Sequence, residues 1–321
     1  MKCTECQKEL NWENSTLCIK CKTPLCEDCY TENSMKCSKC NPKEEELHFD
    51  AIRRSHIETY KTCPYAFKLE VVDGIKPDPH PLAQLGIDLH DLYEQLQRNE
   101  ISTEELDFLT EQFIEGYEYD EETKDNMRNR AVICNRNFLA LLPTLTNEAV
   151  AFEERLFFDV GKDLPQVTIA YDRLEKDKQG NLHIVDWKTG KAMSGKKLTT
   201  DLQPALYIYA VKEKYGVYPE SFRLIYLSDT YKDGSYKEKI FHKKNDNEYV
   251  CMVGKKEYVQ NISEQIKEVQ KVFARIKSKK FNIPEKSIGY HCDICHFKKV
   301  GKCAGQIEQG FYNANGNNFK W

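Results

Sequence analysis

The first forty residues hold eight of the fourteen cysteines of the chain, and their spacing restricts the possible fold more than any other feature. They form four Cys-x-x-Cys pairs, namely Cys3/Cys6, Cys18/Cys21, Cys26/Cys29 and Cys37/Cys40. The residues around them are mostly polar and turn-forming, so a segment of this size cannot bury enough apolar area for a stable core. Bound metal is the usual substitute, because the free energy of metal binding then becomes free energy of folding.

Disulfides are a poor alternative to metal in this chain. Its N-terminus, MKCTECQKEL, lacks the apolar core of a signal peptide, and no apolar run is long enough to span a bilayer. We therefore expect an intracellular, cytoplasmic protein with no membrane partner, where thiols stay reduced. The net charge of −4 is uneven, because residues 100–125 are acidic and residues 267–321 are basic. Such segregation permits a surface for a polyanion without proving one.

The four pairs supply ligands for two Cys₄ zinc sites in a small module over residues 1–41. Only four residues separate Cys21 from Cys26, which resembles the cross-brace of FYVE and PHD fingers. In a cross-brace, pairs one and three share one zinc ion, and pairs two and four share the other. Sequential pairing remains the alternative.

The binding partner of this module is constrained by what its sequence lacks. A FYVE lipid site needs a basic cluster near the second pair, and only Lys20 and Lys22 are present there. PHD and RING fingers normally include a histidine ligand, and residues 1–40 contain none. A scaffold that contacts a protein partner is the preferred interpretation.

The rest of the chain reads as an α/β domain. Residues 42–51 resemble a linker, residues 52–308 form the large domain, and residues 309–321 form an Asn-rich tail. Leucines at helical spacing predict a helix over 81–97, and strand-like runs follow at 150–160, 167–175 and 183–189. A helix ending at Gly216, two further strands and an amphipathic helix over 262–276 complete the pattern.

Two of these predicted strands carry charges where apolar residues are expected. Asp172 interrupts VTIAYDRLE, and Asp186 and Lys188 share one face of HIVDWKT because side chains alternate along a strand. Adjacent carboxylates resist ionisation unless a cation lies between them, and Mg²⁺ or Mn²⁺ suits oxygen ligands. A nearby ammonium can hold a water molecule and offset phosphate charge. This arrangement favours metal-dependent phosphodiester hydrolysis.

Five motifs, in order, resemble the PD-(D/E)XK nuclease superfamily, specifically its RecB-like branch, which includes AddB and CRISPR-associated exonucleases. They are SHIETYKTCPYAFKL (55–69), LGIDLH (85–90), IAYDRLE, HIVDWKTGK and QPALY (203–207). The resemblance covers residues 52–305 and implies a restriction-endonuclease-like core, with a mixed central sheet flanked by helices and a helical insertion. A small zinc-finger module precedes it.

The resemblance also implies roles for individual residues. His90, Asp172, Asp186 and the backbone carbonyl of Trp187 would bind Mg²⁺ or Mn²⁺. Lys188 would be the catalytic lysine, and Gln203 and Tyr207 would line the site and steady a DNA strand. One further acid is expected on the strand before Asp172, and the sequence does not choose between Glu153 and Glu154.

Three cysteines near the C-terminus form an incomplete ligand set, so a fourth thiolate is expected from elsewhere in the fold. The resemblance implies a four-iron four-sulfur (4Fe-4S) cluster held by Cys63, Cys292, Cys295 and Cys303. Zinc is the competing occupant, because Cys₄ zinc sites are common and spacing alone does not separate the two metals. Cys134 and Cys251 belong to no pattern and are expected to be small buried residues.

Together these features predict a divalent-metal-dependent DNA nuclease, with an exonuclease on single-stranded ends as the specific expectation. Repair, recombination and CRISPR adaptation are the expected settings. Two other hypotheses stay open: an adaptor that recruits a partner through its zinc module, and a nuclease subunit of a larger complex with little activity alone.

Overall fold

Runs of helices and runs of strands follow one another along the chain in its computed structural model. The structure describes residues 2–3, 6–10, 15–18, 22–32, 47, 49, 51–77, 79–283, 290–293 and 295–303. The chain divides into two compact units, Met1–His48 and Phe49–Trp321. The predicted tail lies outside the described residues, as does most of the predicted linker.

The described residues of the N-terminal unit include two short strands and one short helix. Strand β1 (Ser15–Leu17) pairs antiparallel with β2 (Pro24–Cys26), and helix α1 (Glu27–Glu32) follows directly. Among the described residues of this unit, the buried hydrophobic cluster contains four cysteines and two leucines, Leu10 and Leu25. So few apolar side chains cannot offset the conformational entropy lost on folding, and this agrees with a need for bound metal.

The second unit is built on one eight-stranded mixed sheet. Its strands are β3 (Ala51–Arg53), β4 (Glu148–Phe158), β5 (Gln166–Lys176), β6 (Leu182–Lys188), β7 (Ser221–Thr230), β8 (Tyr236–Asn245), β9 (Glu248–Val253) and β10 (Lys256–Asn261). Their order is β10-β9-β8-β7-β6-β5-β3, and β4 also pairs with β5. The pairs β3/β5 and β6/β7 are parallel, and the others are antiparallel.

Helices connect and cover these strands. They are α2 (Arg54–Thr62), α3 (Pro64–Phe67), α4 (Pro81–Gln97), α5 (Leu106–Glu115), α6 (Glu121–Leu141), α7 (Lys197–Thr200), α8 (Leu202–Tyr215), α9 (Ile262–Lys277), α10 (Tyr290–Asp293) and α11 (His296–Lys299). Gly216 ends α8 in a left-handed conformation with φ 77°, as its position in the sequence indicates. Within the described residues, no helix is both long and apolar enough to cross a membrane.

The helices cover both faces of the sheet. Helices α4, α5 and α6 pack with Val185, Trp187 and Ile225 in one buried cluster. Helices α2, α8 and α9 pack with the alternate strand residues, such as Ile184 and Leu224, in the other. Because β5 and β6 are buried on both faces, they lack the alternating pattern of a half-exposed strand. The predicted α/β class, a mixed sheet flanked by helices, is confirmed.

Strand β5 has an opening along one edge. Its other edge is paired with β4 from Val167 to Lys176. Along the open edge, β3 pairs only with residues 166–168 and β6 only with residues 173–176. Residues 169–172 therefore face a fork between β3 and β6, and Asp172 lies at the point where β6 leaves β5.

A buried polar network joins the three helices on one face. The Tyr93 hydroxyl of α4 donates a hydrogen bond to Asn135 Oδ1 of α6 at 2.9 Å. The Asn135 amide nitrogen donates to Asp107 Oδ1 at 2.8 Å and to Thr110 Oγ1 at 3.1 Å, both on α5. One asparagine thus satisfies buried polar groups on all three helices and fixes their relative positions.

We predict that Asn135→Ala lowers the free energy of unfolding by about 1–3 kcal/mol, because it leaves the Tyr93 hydroxyl buried without a partner. Asn129→Ala is the matched control, since Asn129 is exposed on the same helix and should change stability little. Urea unfolding followed by circular dichroism measures both. Equal unfolding free energies for the two variants would contradict the role assigned to this network.

Candidate active site

Two aspartates lie at the fork between β5 and β6. Asp172 and Asp186 are only 4% and 1% exposed. In the β5/β6 ladder Arg173 pairs with Val185, so continuing the register places Asp172 opposite Asp186. The ladder ends there, and Asp172 Oδ2 instead accepts a hydrogen bond from the Trp187 backbone N–H at 2.6 Å. The carboxylates that the sequence placed on neighbouring strands are therefore close together.

Helix α4 brings a histidine to the same point. His90 Nδ1 lies 2.9 Å from Asp172 Oδ1 and 3.6 Å from Glu153 Oε1. Ligand atoms of His90, Glu153 and Asp172 all lie within 4.8 Å of one another. The ring of His90 also lies against Trp187, with centroids 6.4 Å apart. This histidine and two carboxylates have the composition and spacing of a divalent-metal centre.

The structure distinguishes the two candidate acids on β4. Glu153 lies opposite Asp172 in the β4/β5 register, at a position where the ladder skips a pair. Its φ of 45° is in the left-handed region, which is unfavourable for a residue other than glycine and is often found at functional sites. Glu154 turns away instead and pairs with Lys214, Tyr171 and Tyr215. Only Glu153 joins the cluster around His90.

Asp186 is held by two other groups. Lys188 Nζ lies 2.6 Å from Asp186 Oδ2, as expected for residues on one face of a strand. The Gln203 side-chain amide of α8 donates to both carboxylate oxygens of Asp186 at 3.2 Å. Gln203 is in turn placed by Asp201, which caps the N-terminus of α8 by accepting from the Gln203 backbone N–H at 2.8 Å.

Tyr207 lies one turn further along α8, but it is only 7% exposed. Its ring packs against Phe222, with centroids 5.6 Å apart, and burial followed by the nearby Asp186 raises the pKa of its hydroxyl. It thus lies behind the carboxylates, and the predicted contact with a DNA strand stays a prediction.

Burial and charge act against each other among these groups. Burial alone would lower the pKa of His90, but Asp172 and Glu153 outweigh it and raise the pKa above its ordinary value. Burial also raises the pKa of Asp172, with contributions from Asp186 and Glu153 and an opposing effect from His90. Three carboxylates around one histidine have excess negative charge, which a divalent cation would neutralise.

A glycine in α4 allows this close approach. A Cβ atom on Gly86 would lie 2.8 Å from Thr189 Oγ1, in the residue directly after Lys188. The Thr189 carbonyl accepts hydrogen bonds from Arg130 at 2.9 Å and from Ser228 at 2.6 Å, so this strand end is fixed from other directions. The glycine of the LGIDLH motif therefore provides room for α4 to bring His90 to the sheet.

A cleft of about 1210 Å³ opens over the site, with His90, Glu153, Lys188 and Gln203 in its lining. Further cationic side chains in the lining are Arg54, Arg155, Lys191 and Lys197. The sequence did not indicate these four, because isolated basic residues on a surface carry no pattern. Together they give the cleft positive groups suited to a phosphate backbone.

The four cysteines predicted to hold the 4Fe-4S cluster line one cavity of about 420 Å³. They are Cys63, Cys292, Cys295 and Cys303. No three of these sulfur atoms, all in the described part of the chain, lie within 4.8 Å of one another. Arg54 and Ser55, at the start of α2, line both this cavity and the cleft. Helix α2 therefore connects the two sites, because Cys63 caps its other end.

In the N-terminal unit, the structure brings together the first and third cysteine pairs. The sulfur atoms of Cys3, Cys6, Cys26 and Cys29 lie within 4.8 Å of one another, and those of Cys6 and Cys26 are 3.7 Å apart. A tetrahedral Zn²⁺ with Zn–S bonds of ~2.3 Å places its thiolates ~3.8 Å apart. Cys18 is buried. The other predicted ligands, Cys21, Cys37 and Cys40, lie outside the described residues.

Comparison with known proteins agrees with this geometry. A family model described as the PD-(D/E)XK nuclease superfamily matches residues 54–300. No curated protein is similar enough in sequence to count as a match. The match with the family model spans α2 through α11, including every residue of the fork.

Solved structures show a distant likeness. A crystal structure of a candidate exonuclease from Eubacterium rectale is 12% identical, with a TM-score of 0.46, over 87% of this chain and 94% of its own. The structure of a protein named SSO0001 is also 12% identical, with a TM-score of 0.35, over 82% and 89% of the two chains. Both scores are low, so the family match carries the assignment. The chain belongs to the PD-(D/E)XK nuclease superfamily.

Proposed function

We propose that this protein is a divalent-metal-dependent DNA nuclease of the RecB-like branch, and that it acts as an exonuclease on single-stranded ends. The observation that carries the proposal is the cluster of His90, Glu153 and Asp172 within 4.8 Å, beside the Asp186–Lys188 pair. A buried set of facing charges has a large desolvation penalty, which a purely structural role would not require. Repair, recombination or CRISPR adaptation are the settings we propose.

The residues divide the chemical work. His90, Glu153, Asp172 and Asp186, with the Trp187 carbonyl, would hold Mg²⁺ or Mn²⁺, which lowers the pKa of water and polarises a phosphoryl oxygen when bound. Lys188 lies on the cleft side of Asp186, where its ammonium can orient the attacking water and offset charge on the phosphate. Gln203 keeps the Asp186 carboxylate oriented through both of its oxygens.

The cleft supports a nucleic-acid substrate. Arg155 and Lys197 lie in its lining without an ion pair within the described residues, so their charges are available to phosphates. Electrostatic contact of this kind follows the backbone without reading sequence. A preference for DNA and for single-stranded ends is proposed from the resemblance to RecB-like exonucleases.

Two kinds of metal site are proposed besides the catalytic one. The short sulfur distances among Cys3, Cys6, Cys26 and Cys29 suit one Zn²⁺ in a cross-brace, and Cys18, Cys21, Cys37 and Cys40 would hold the second. Cys63, Cys292, Cys295 and Cys303 are spread around a cavity, and their wider spacing suits a 4Fe-4S cluster better than a single ion.

The separate N-terminal unit supports a second candidate function. Met1–His48 forms its own compact unit and brings its own thiol cluster. Such a unit can bind a protein partner independently of the cleft, so the chain would then act as an adaptor or as the nuclease subunit of a larger complex.

We predict that Asp186→Asn reduces cleavage of a labelled single-stranded oligonucleotide with Mg²⁺ or Mn²⁺ by more than about 100-fold. Loss of a group that only orients a metal ligand costs up to about 100-fold, and loss of the ligand itself should cost more. Asp246→Asn, at an exposed site, is the control and should cleave at the wild-type rate. Unchanged cleavage by Asp186→Asn would exclude the proposed site.

The neighbouring glutamates of β4 give a second prediction. Glu153→Gln should lower cleavage at least about 10-fold and increase the Mn²⁺ concentration needed for half-maximal cleavage. The reason is that it removes one negative charge from the proposed metal ligands. Glu154→Gln carries the same chemical change on the other side of the strand and should leave the metal dependence unchanged. The opposite ranking of the two variants would exclude Glu153 as a ligand.

Metal analysis of protein purified without oxygen tests the cysteine sites. We predict about four iron and two zinc atoms per chain. Cys63→Ser should lose the iron and its visible absorbance but keep the zinc, whereas Cys26→Ser should lose zinc and keep the iron. Cys251→Ser alters a buried cysteine outside both groups and serves as the control. A colourless wild type with three zinc atoms would contradict the iron assignment.

A further inference from the structure

One residue of the cleft has no place in the assignments above. Tyr226 lies on β7 directly beside Lys188 of β6, because the two residues pair in the parallel register of these strands. Paired residues of neighbouring strands project from the same face of a sheet. The Tyr226 side chain is only 3% exposed, yet it contributes to the lining of the cleft.

The hydroxyl of Tyr226 is unpartnered. It is buried, and no acceptor for its O–H lies within hydrogen-bond distance among the described residues. Three other buried tyrosines are satisfied: Tyr60 donates to the Lys280 carbonyl, Tyr93 to Asn135 and Tyr249 to the Pro219 carbonyl. An unmade hydrogen bond on a buried hydroxyl is unfavourable, so a group of this kind at the lining of a cleft is suited to bind an acceptor there.

The chemistry of the hydroxyl indicates what that partner accepts. A tyrosine hydroxyl is protonated at neutral pH and can donate one hydrogen bond. Burial raises its pKa further, against a smaller opposing effect of the Met193 backbone N–H, which can donate to its oxygen. An approach by the Met193 N–H would use an oxygen lone pair and leave the O–H free to donate. The required partner is therefore a hydrogen-bond acceptor in the cleft next to the Lys188 ammonium.

We propose that Tyr226 is a substrate-contacting residue whose hydroxyl donates a hydrogen bond to a non-bridging oxygen of a phosphate bound beside Lys188. This inference rests on the proposed nuclease function and deepens it. The phosphate oxygens are strong acceptors, and their negative charge matches the cations that line the same cleft. Lys188 and Tyr226 would then contact the same or adjacent phosphates from neighbouring strands.

The test is Tyr226→Phe, which removes only the hydroxyl. We expect kcat/KM on a single-stranded oligonucleotide with Mn²⁺ to fall about 10- to 100-fold, the range for a hydrogen bond to a charged group. Affinity for the same oligonucleotide in EDTA, measured by fluorescence anisotropy, should fall as well. The unfolding temperature should be unchanged or higher, because an unsatisfied buried group has been removed.

Tyr249→Phe is the matched control. It also removes a buried tyrosine hydroxyl, but it leaves the Pro219 carbonyl without its donor. This variant should unfold at a lower temperature and keep the wild-type kcat/KM and affinity. If the role of Tyr226 is purely structural, Tyr226→Phe should behave like Tyr249→Phe, with a lower unfolding temperature and unchanged kcat/KM and affinity.

Single methylphosphonate substitutions in the oligonucleotide locate the contact. At one phosphate, the diastereomer whose methyl group replaces the contacted oxygen should abolish the difference between wild type and Tyr226→Phe, since both then lack the hydrogen bond. If wild type cleaves and Tyr226→Phe cleaves and binds equally well, the inference is overturned and the nuclease function stands. If the wild type does not cleave with either Mg²⁺ or Mn²⁺, the nuclease proposal fails. The anisotropy data alone then support or overturn the contact by Tyr226.

Discussion

The fold of this protein depends on how it accommodates buried negative charge. Asp172 and Asp186 lie almost fully buried on the adjacent strands β5 and β6, and Glu153 of β4 lies beside Asp172. Carboxylates at this spacing repel each other in a medium that screens poorly. One histidine, one lysine and one backbone amide offset part of the charge. A divalent cation bound at this site would offset the remaining negative charge.

The sheet and its helices are arranged around this requirement. The β5/β6 ladder ends after Arg173, and beyond it the Trp187 backbone N–H donates to the Asp172 carboxylate instead. Helix α4 reaches the fork from one face and α8 from the other, carrying His90 and Gln203. Gly86 leaves no room for a larger side chain, and the left-handed backbone of Glu153 and the buried Tyr226 hydroxyl are each unfavourable locally. They concentrate at one place, which is typical of a functional site.

Much of this could be predicted from sequence because the signals are local. The strands around Asp172 and Asp186, the helix of His90 and the stop at Gly216 follow from periodicity and turn chemistry. The 21-residue helix α6 is not among the predicted elements, because the buried polar residues Asn135 and Asn137 interrupt its apolar face. That face is formed by Met127, Ala131, Cys134, Phe138 and Leu141. The choice of Glu153 over Glu154 depends on one backbone angle. Tyr226 reads as an ordinary core residue until its hydroxyl is seen to lack a partner.

The most direct test of this account measures metal binding without any nucleic acid. Wild-type protein whose catalytic site has been stripped of metal should bind Mn²⁺ at His90, Glu153 and Asp172 in isothermal titration calorimetry. The unfolding temperature of the wild type should rise with Mn²⁺, because a ligand that binds only the folded state stabilises it. Asp172→Asn should lose both the binding and the rise. Equal Mn²⁺ binding by Asp172→Asn and wild type would contradict the central claim.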